Sequence, residues 1–191
     1  MMNNASAKSS TLFFTVSEIT AMVLSATYTW LYLKGVVPGC FIPAFIGSSI
    51  YVALCWKKKI YAESFLYLFY VGMAVVGYFS LMPEVMAASW TISTHLLVIS
   101  AGAAATVISG FLLRRHSDAA TPYLDSFTTI FSLIATWMMV AFIHENWLYW
   151  IVIDTLAIFL YAKRRMWITV LLFVLYLLMA IDGYFEALSL F

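Results

Sequence analysis

ENWLYWIVID, residues 145–154, opens an apolar segment that ends at Lys163 and is long enough to cross a membrane as a helix. On a helix, Asn146, Trp150 and Asp154 are spaced i, i+4 and i+8, so they share one face, with Trp147 beside it. A charged acid at the centre of a membrane helix costs roughly 2.5–3.5 kcal/mol on insertion scales. The pattern therefore predicts that this polar and aromatic face lines a substrate cavity, and it indicates a small-molecule transporter.

The composition of the chain is that of an integral membrane protein. Of its 191 residues, 64% are hydrophobic and 10% are charged, whereas soluble domains have about 45–50% apolar and about 25% charged residues. The net charge of +1 gives no basic patch for nucleic acid. The sequence has no CxxC, HExxH or phosphate-loop motif and no visible nucleophile–base pair. We therefore expect neither an enzyme nor a bound metal or cofactor.

Seven apolar segments, each close to the ~20 residues that a bilayer requires, follow a polar tail that we predict over residues 1–12. The segments are 13–33, 38–56, 61–82, 90–113, 124–143, 147–162 and 166–187. We therefore predict an all-α membrane protein with seven transmembrane helices.

The connections between these segments carry nearly all of the charge. With the N-terminus inside, nine of the ten basic residues fall on the cytoplasmic side and only Lys34 falls outside. The nine are Lys8, Lys57, Lys58, Lys59, Arg114, Arg115, Lys163, Arg164 and Arg165. The positive-inside rule thus predicts a cytoplasmic N-terminus and an external C-terminus.

An internal repeat relates the two halves of the chain. Residues 57–80 align without gaps on residues 163–186, and the first segment aligns on the fifth. In the second alignment, Glu18, Ser25, Thr29 and Trp30 match Asp125, Ser132, Thr136 and Trp137. The repeat predicts two three-helix bundles of the same orientation, over 13–82 and 124–187, joined by a linker helix over 90–113. Parallel repeats of this kind bind substrate near the bilayer midplane, between the repeats.

Further polar residues within the segments have two interpretations. Ser132 and Thr136 could contact substrate or serve as packing contacts between helices, and the tyrosines Tyr67, Tyr70 and Tyr176 could hydrogen-bond a ligand or simply pack. The acids Glu18 and Asp125 either stabilise helix N-termini or form a gate. His95, in the linker helix, is interpreted as structural.

Residues 145–150 resemble the tryptophan motif of the Pnu vitamin-transporter family. Residues 61–78 resemble the third-helix motif of that family, and Asp125 and Ser126 with Ser132 resemble the start of its fifth helix. The resemblance implies a 3+1+3 fold similar to the SWEET sugar transporters, in a bacterial inner membrane. It also implies facilitated diffusion, trapping of the product by a cytoplasmic kinase, and a homotrimer.

Two departures from the family pattern bear on the substrate. Where nicotinamide riboside transporters tend to carry Asn and Gln, this chain has Asp154 and Tyr67. A carboxylate can accept a hydrogen bond from the amino group of thiamine and offset its positive charge, so thiamine is the first expectation. The alternatives are nicotinamide riboside, which is also a cation, or a membrane-embedded vitamin-binding subunit that does not transport on its own.

Overall fold

The computed structural model describes residues 2–57, 61–80, 89–117, 120–163 and 167–185, and it describes no side chains for 2–12, 61–63 and 168. The described residues form seven α-helices, as predicted. They are α1 (Met2–Leu33), α2 (Phe41–Lys57), α3 (Tyr61–Phe79), α4 (Ile92–His116), α5 (Pro122–Val140), α6 (Asn146–Lys163) and α7 (Trp167–Phe185). Four of the basic residues used for orientation, Lys58, Lys59, Arg164 and Arg165, lie outside the described ranges.

Helix α1 begins much earlier than the hydropathy pattern predicts. Residues 2–12, expected to be a polar tail, are helical. This stretch contains neither proline nor glycine, so nothing in it stops the helix from extending past its apolar part. The other six helices begin and end within three residues of the predicted segments.

Among the residues that the structure describes with their side chains, two helices are both long and apolar enough to cross a membrane by length and composition alone. These are α4, with 25 residues, and α5, with 19 residues. The Thr91 side chain caps α4 by accepting from the Thr94 N–H at 3.3 Å. At its other end, Arg114, Arg115 and His116 occupy the last turn, where positive charge complements the helix dipole.

The chain forms two compact units, of which the first is Met1–Ser80. In this unit α2 packs against both α1 and α3. A methyl group added at Gly47 of α2 would lie only 3.2 Å from the Leu24 Cβ of α1, so the missing side chain lets the two helices approach closely. On the other side of α2, the ring of Tyr51 stacks on that of Tyr67 with centroids 4.5 Å apart.

The second unit is Leu81–Phe191, in which each helix from α4 to α7 packs against the next one along the chain. Glycines of α4 face aromatic rings of α5, including Gly102 against Phe131. One cluster of buried hydrophobic side chains in this unit is drawn from α5, α6 and the turn between them. It consists of Phe131, Ala135, Met138, Ile143, Tyr149 and Ile153. Helix α6 therefore has one face in the core and packs against α5 and α7.

The sequence repeat recurs in the side-chain packing inside each unit. In α3, Tyr67 and Tyr70 meet edge to face, with centroids 5.9 Å apart at 80°. Their counterparts in α7, Phe173 and Tyr176, meet at 6.0 Å and 84°. Equivalent positions of the two copies thus adopt the same geometry.

Candidate functional site

The first turn of α6 is fixed by the tight turn that precedes it. Phe142 in that turn has a φ of 55°, in the left-handed region, and the Asn146 side chain closes the turn by donating from Nδ2 to the Ile143 carbonyl at 2.6 Å. Asn146 is 1% exposed. With its nitrogen fixed in this way, Oδ1 is buried and has no hydrogen-bond partner among the described residues. An acceptor is therefore left unsatisfied at the start of the helix.

Trp150 and Asp154 continue the same face of α6. Trp150 packs against the core of the second unit, yet its indole Nε1 is buried without an acceptor in the described part of the chain. Asp154 is 2% exposed. Within the described ranges, no hydrogen-bond or ion-pair partner reaches its carboxylate. The predicted face is therefore buried and still has hydrogen-bonding capacity to spare.

The three side chains present an acceptor, a donor and a carboxylate in order along the helix. At 1.5 Å per residue, successive groups are about 6 Å apart along the axis. A buried polar group without a partner costs about 1–3 kcal/mol, so a molecule that pairs with these atoms gains free energy from each contact. No group of three or more His, Cys, Asp or Glu in the described ranges is placed to hold a metal ion. The three groups therefore lie in a row along one face of α6.

Trp147, which is also predicted to bind substrate, packs against α7, and its contact with substrate stays a prediction. It is 5% exposed, and its indole covers Gly183 so closely that a Cβ built there would lie 2.5 Å from Cε2. This contact favours a packing role for Trp147.

The hydroxyl groups of α5 differ from their repeat counterparts in α1. Ser25 donates to the Ala21 carbonyl at 2.9 Å and Thr29 donates to the Ser25 carbonyl at 3.3 Å, both within α1. Ser132 is buried and Thr136 is half-buried, and neither hydroxyl has a hydrogen-bond partner in the described part of the chain. The α5 pair is thus available to a ligand, whereas the α1 pair already bonds to its own helix.

The three predicted tyrosines are all half-buried. Tyr67 stacks on Tyr51 and meets Tyr70 edge-on, within the first unit. Tyr176 meets Phe173 edge-on, within the second unit. All three rings therefore take part in aromatic packing, and substrate contact stays a prediction for each of them.

The two acids that were predicted at helix starts have different surroundings. Asp125 lies in the first turn of α5, and its Oδ2 accepts a hydrogen bond from the Thr121 hydroxyl at 3.3 Å. Glu18 is exposed and lies sixteen residues beyond the first residue of α1. The effect of the helix dipole is confined to the first turn, so a helix-start role fits Asp125 and does not apply to Glu18.

Sequence reasoning missed one contact beside this face. The Tyr149 hydroxyl lies 3.0 Å from His95 Nδ1, joining α6 to the helix that was predicted as a linker. The two residues are 54 positions apart, so no local spacing could have paired them.

Comparisons with known proteins agree with this architecture. The family model described as nicotinamide mononucleotide transporter matches residues 15–188. A curated protein of Neisseria mucosa, the nicotinamide riboside transporter PnuC, is 28% identical in an alignment 189 residues long. The match covers 82% of this chain and 71% of that protein. The crystal structure of the vitamin B3 transporter PnuC matches with a TM-score of 0.68 and 26% identity, over 88% of this chain and 78% of that one.

The extent of these matches fixes the broad class of the protein. The family model spans nearly the whole chain, and the relatives are transporters by name. The seven-helix chain belongs to the nicotinamide mononucleotide transporter family, the Pnu vitamin transporters.

Proposed function

We propose that this protein takes up a small, positively charged vitamin by facilitated diffusion, and that the α6 face of Asn146, Trp150 and Asp154 binds it. The observation that carries the proposal is the set of buried polar groups on this face that lack partners within the described residues. A cation beside Asp154 would offset its charge, and a flat ring beside Trp150 would gain stacking and cation–π energy of about 0.5–2 kcal/mol.

Nicotinamide riboside is the first candidate substrate. It is the compound named in the curated relative, which is similar to most of this chain. Its cationic ring suits Trp150, and its amide group can donate to a carboxylate and accept from an indole N–H. The charge and the hydrogen-bonding groups of the face therefore both have counterparts in this molecule.

Thiamine is the second candidate, and Asp154 favours it. Its aminopyrimidine can donate to the carboxylate, and its thiazolium carries the positive charge that Asp154 would offset. Tyr67, half-buried in α3, stands where the family pattern has an amide side chain, so the amide-recognising pair of nicotinamide riboside transporters is altered. A substrate without a carboxamide is consistent with that change.

The remaining features of the proposed mechanism follow from the resemblance and from the charge distribution. Lys57, Arg114, Arg115 and Lys163 all lie at the C-terminal ends of α2, α4 and α6, which supports a cytoplasmic N-terminus and an external C-terminus. We propose two parallel bundles joined by α4, a homotrimer in a bacterial inner membrane, and a cytoplasmic kinase that traps the substrate by phosphorylation. The further proposed substrate contacts are Tyr67, Tyr70, Tyr176, Ser132 and Thr136. Glu18 is a proposed gate.

Calorimetry on the purified protein, with nicotinamide riboside and thiamine side by side, tests the substrate. Tight binding of one compound that is weakened in Asp154→Asn supports the proposed face. Binding of neither compound would overturn the proposed substrate class.

Transport requires a separate measurement in liposomes that contain only this protein. Downhill uptake without an added energy source supports facilitated diffusion. Tight binding without any uptake would instead indicate a vitamin-binding subunit that serves a separate transport machinery.

A further inference from the structure

The contact between Trp147 and Gly183 has a counterpart in the other repeat. A Cβ built on Gly183 would lie 2.5, 2.7 and 2.9 Å from Cε2, Cδ2 and Cζ2 of the Trp147 indole. In the first unit, a Cβ built on Gly77 would meet Cε1, Cζ and Cδ1 of the Phe41 ring in the same way. Phe41 and Trp147 are equivalent in the repeat, as are the two glycines. In each unit, an aromatic ring in the first turn of one helix (α2 or α6) therefore lies on a glycine of the following helix (α3 or α7).

The rest of the α6 face is not shared between the two units. At the spacing that relates the repeats, Asn146, Trp150 and Asp154 correspond to Cys40, Ala44 and Ser48 of the first unit. These counterparts are buried as well, but they provide no indole and no carboxylate. The aromatic–glycine contact is thus common to both units, whereas the polar, aromatic face occurs in one of them.

We propose that Trp147 and Gly183 are positioning residues: they fix the first turn of α6 against α7 and so set the orientation of Trp150 and Asp154 toward the substrate. This inference rests on the proposed function of the α6 face. Because Phe41 makes the same contact in a unit without such a face, the contact is architectural and does not require a ligand. Trp147 acts on the substrate through Trp150 and Asp154.

The close packing of Trp147 on Gly183 makes this contact sensitive to an added methyl group. Glycine at a helix interface lets the neighbouring helix approach within reach of its backbone. Side-chain carbons are essentially never closer than 3.0 Å, and Trp147 is 5% exposed, so its ring has little room to move away from an added methyl group. Binding groups must be held within about 0.5 Å of their working positions, so a displaced first turn would weaken substrate binding.

The first test compares Gly183→Ala with Gly72→Ala in full-length protein. A Cβ on Gly72 of α3 meets nothing within 4 Å, so this variant is the matched control. We expect Gly183→Ala to bind nicotinamide riboside, or thiamine if that is the compound bound, at least fivefold more weakly, and Gly72→Ala to bind as the parent does. A folded Gly183→Ala protein with parental affinity would overturn the proposal.

A second measurement needs no ligand. In protein labelled with 5-fluorotryptophan, the fluorine resonance of Trp147 is identified by its absence in Trp147→Phe. We expect this resonance to shift in Gly183→Ala and to stay in place in Gly72→Ala. If the parent protein binds neither compound, the proposed function fails, but the fluorine spectrum still tests the contact between Trp147 and Gly183. An unshifted Trp147 resonance in Gly183→Ala would overturn the positioning role.

A comparison of the two tryptophans covers the case in which Gly183→Ala does not fold. Trp147→Phe recreates the ring found at Phe41, so we expect about threefold weaker binding. Trp150→Phe removes the buried Nε1–H and should weaken binding at least tenfold. Equal losses in both variants would make Trp147 a direct ligand contact and overturn the proposal.

Discussion

The hydrogen bond between Tyr149 and His95 joins α6 to α4 at a position next to Trp150. The hydroxyl and Nδ1 are 3.0 Å apart, and the two rings face each other at 34° with centroids 5.9 Å apart. The Trp90 ring also contacts the His95 ring, with centroids 5.4 Å apart. Helix α4 is therefore more than a connection, because it holds the neighbour of the proposed stacking residue.

Removing this hydrogen bond should lower stability. We expect Tyr149→Phe to lower the free energy of unfolding by about 0.5–1.5 kcal/mol. For a chain of this size, each kcal/mol lowers Tm by about 2–4 °C. Thermal unfolding in detergent measures the change. The control is Ser49→Ala, since the Ser49 hydroxyl bonds only to the Phe45 carbonyl of its own helix, at 2.7 Å. If His95→Asn and Tyr149→Phe had fully additive effects on Tm, the two side chains would not be coupled.

The carboxylate of Asp154 should matter most for cationic ligands. Asp154→Asn keeps the shape and loses the charge, so we expect the affinity for nicotinamide riboside or thiamine to fall by about 1–3 kcal/mol, the range of a hydrogen bond to a charged group. Calorimetry gives the change in Kd.

The adjacent Thr155→Val provides the control for this substitution. Thr155 is exposed, and its hydroxyl bonds to the Ile151 carbonyl at 2.7 Å, so its loss should leave the Kd unchanged. An unaltered Kd in Asp154→Asn would remove Asp154 from the site.

Much of the fold could be predicted because hydropathy reports directly on membrane helices. Six of the seven helices match their predicted segments within three residues. The exception, the start of α1, could not be read from hydropathy, because helix formation over residues 2–12 depends on the absence of a helix breaker in a polar stretch. The repeat could also be predicted from the sequence, because similar residues recur at a constant spacing in its two halves.

The site was predictable only where it depends on a single helix. The face of Asn146, Trp150 and Asp154 follows from helical periodicity alone. The packing of Trp147 on Gly183 and the bond from Tyr149 to His95 depend on other helices, and no local pattern encodes them. The helix-start role, one of the two interpretations of Glu18, was wrong because it depended on where α1 begins.

The hydroxyl groups of α5 should contribute to binding, whereas their counterparts in α1 should not. Ser132→Ala and Thr136→Val each remove a hydroxyl that has no partner among the described residues, so we expect each to weaken substrate binding by about 0.5–1.5 kcal/mol. Ser25→Ala and Thr29→Val are the matched controls in the other repeat, because those hydroxyls already bond to carbonyls of α1. Equal effects of a substitution and its counterpart on Kd would contradict a ligand role for the α5 pair.

The same substitution should have opposite effects at two glycines of α3. Gly72→Ala adds a methyl group where nothing lies within 4 Å, so the better helix propensity of alanine should raise stability by about 0.5–1 kcal/mol. Gly77→Ala places the methyl group against the Phe41 ring. Phe41 is 1% exposed, and the added methyl group would overlap its ring, so overpacking should cost about 1–3 kcal/mol. Thermal unfolding of the two variants in the same detergent compares them, and a Gly77→Ala protein as stable as Gly72→Ala would mean that the α2–α3 contact is looser than this packing requires.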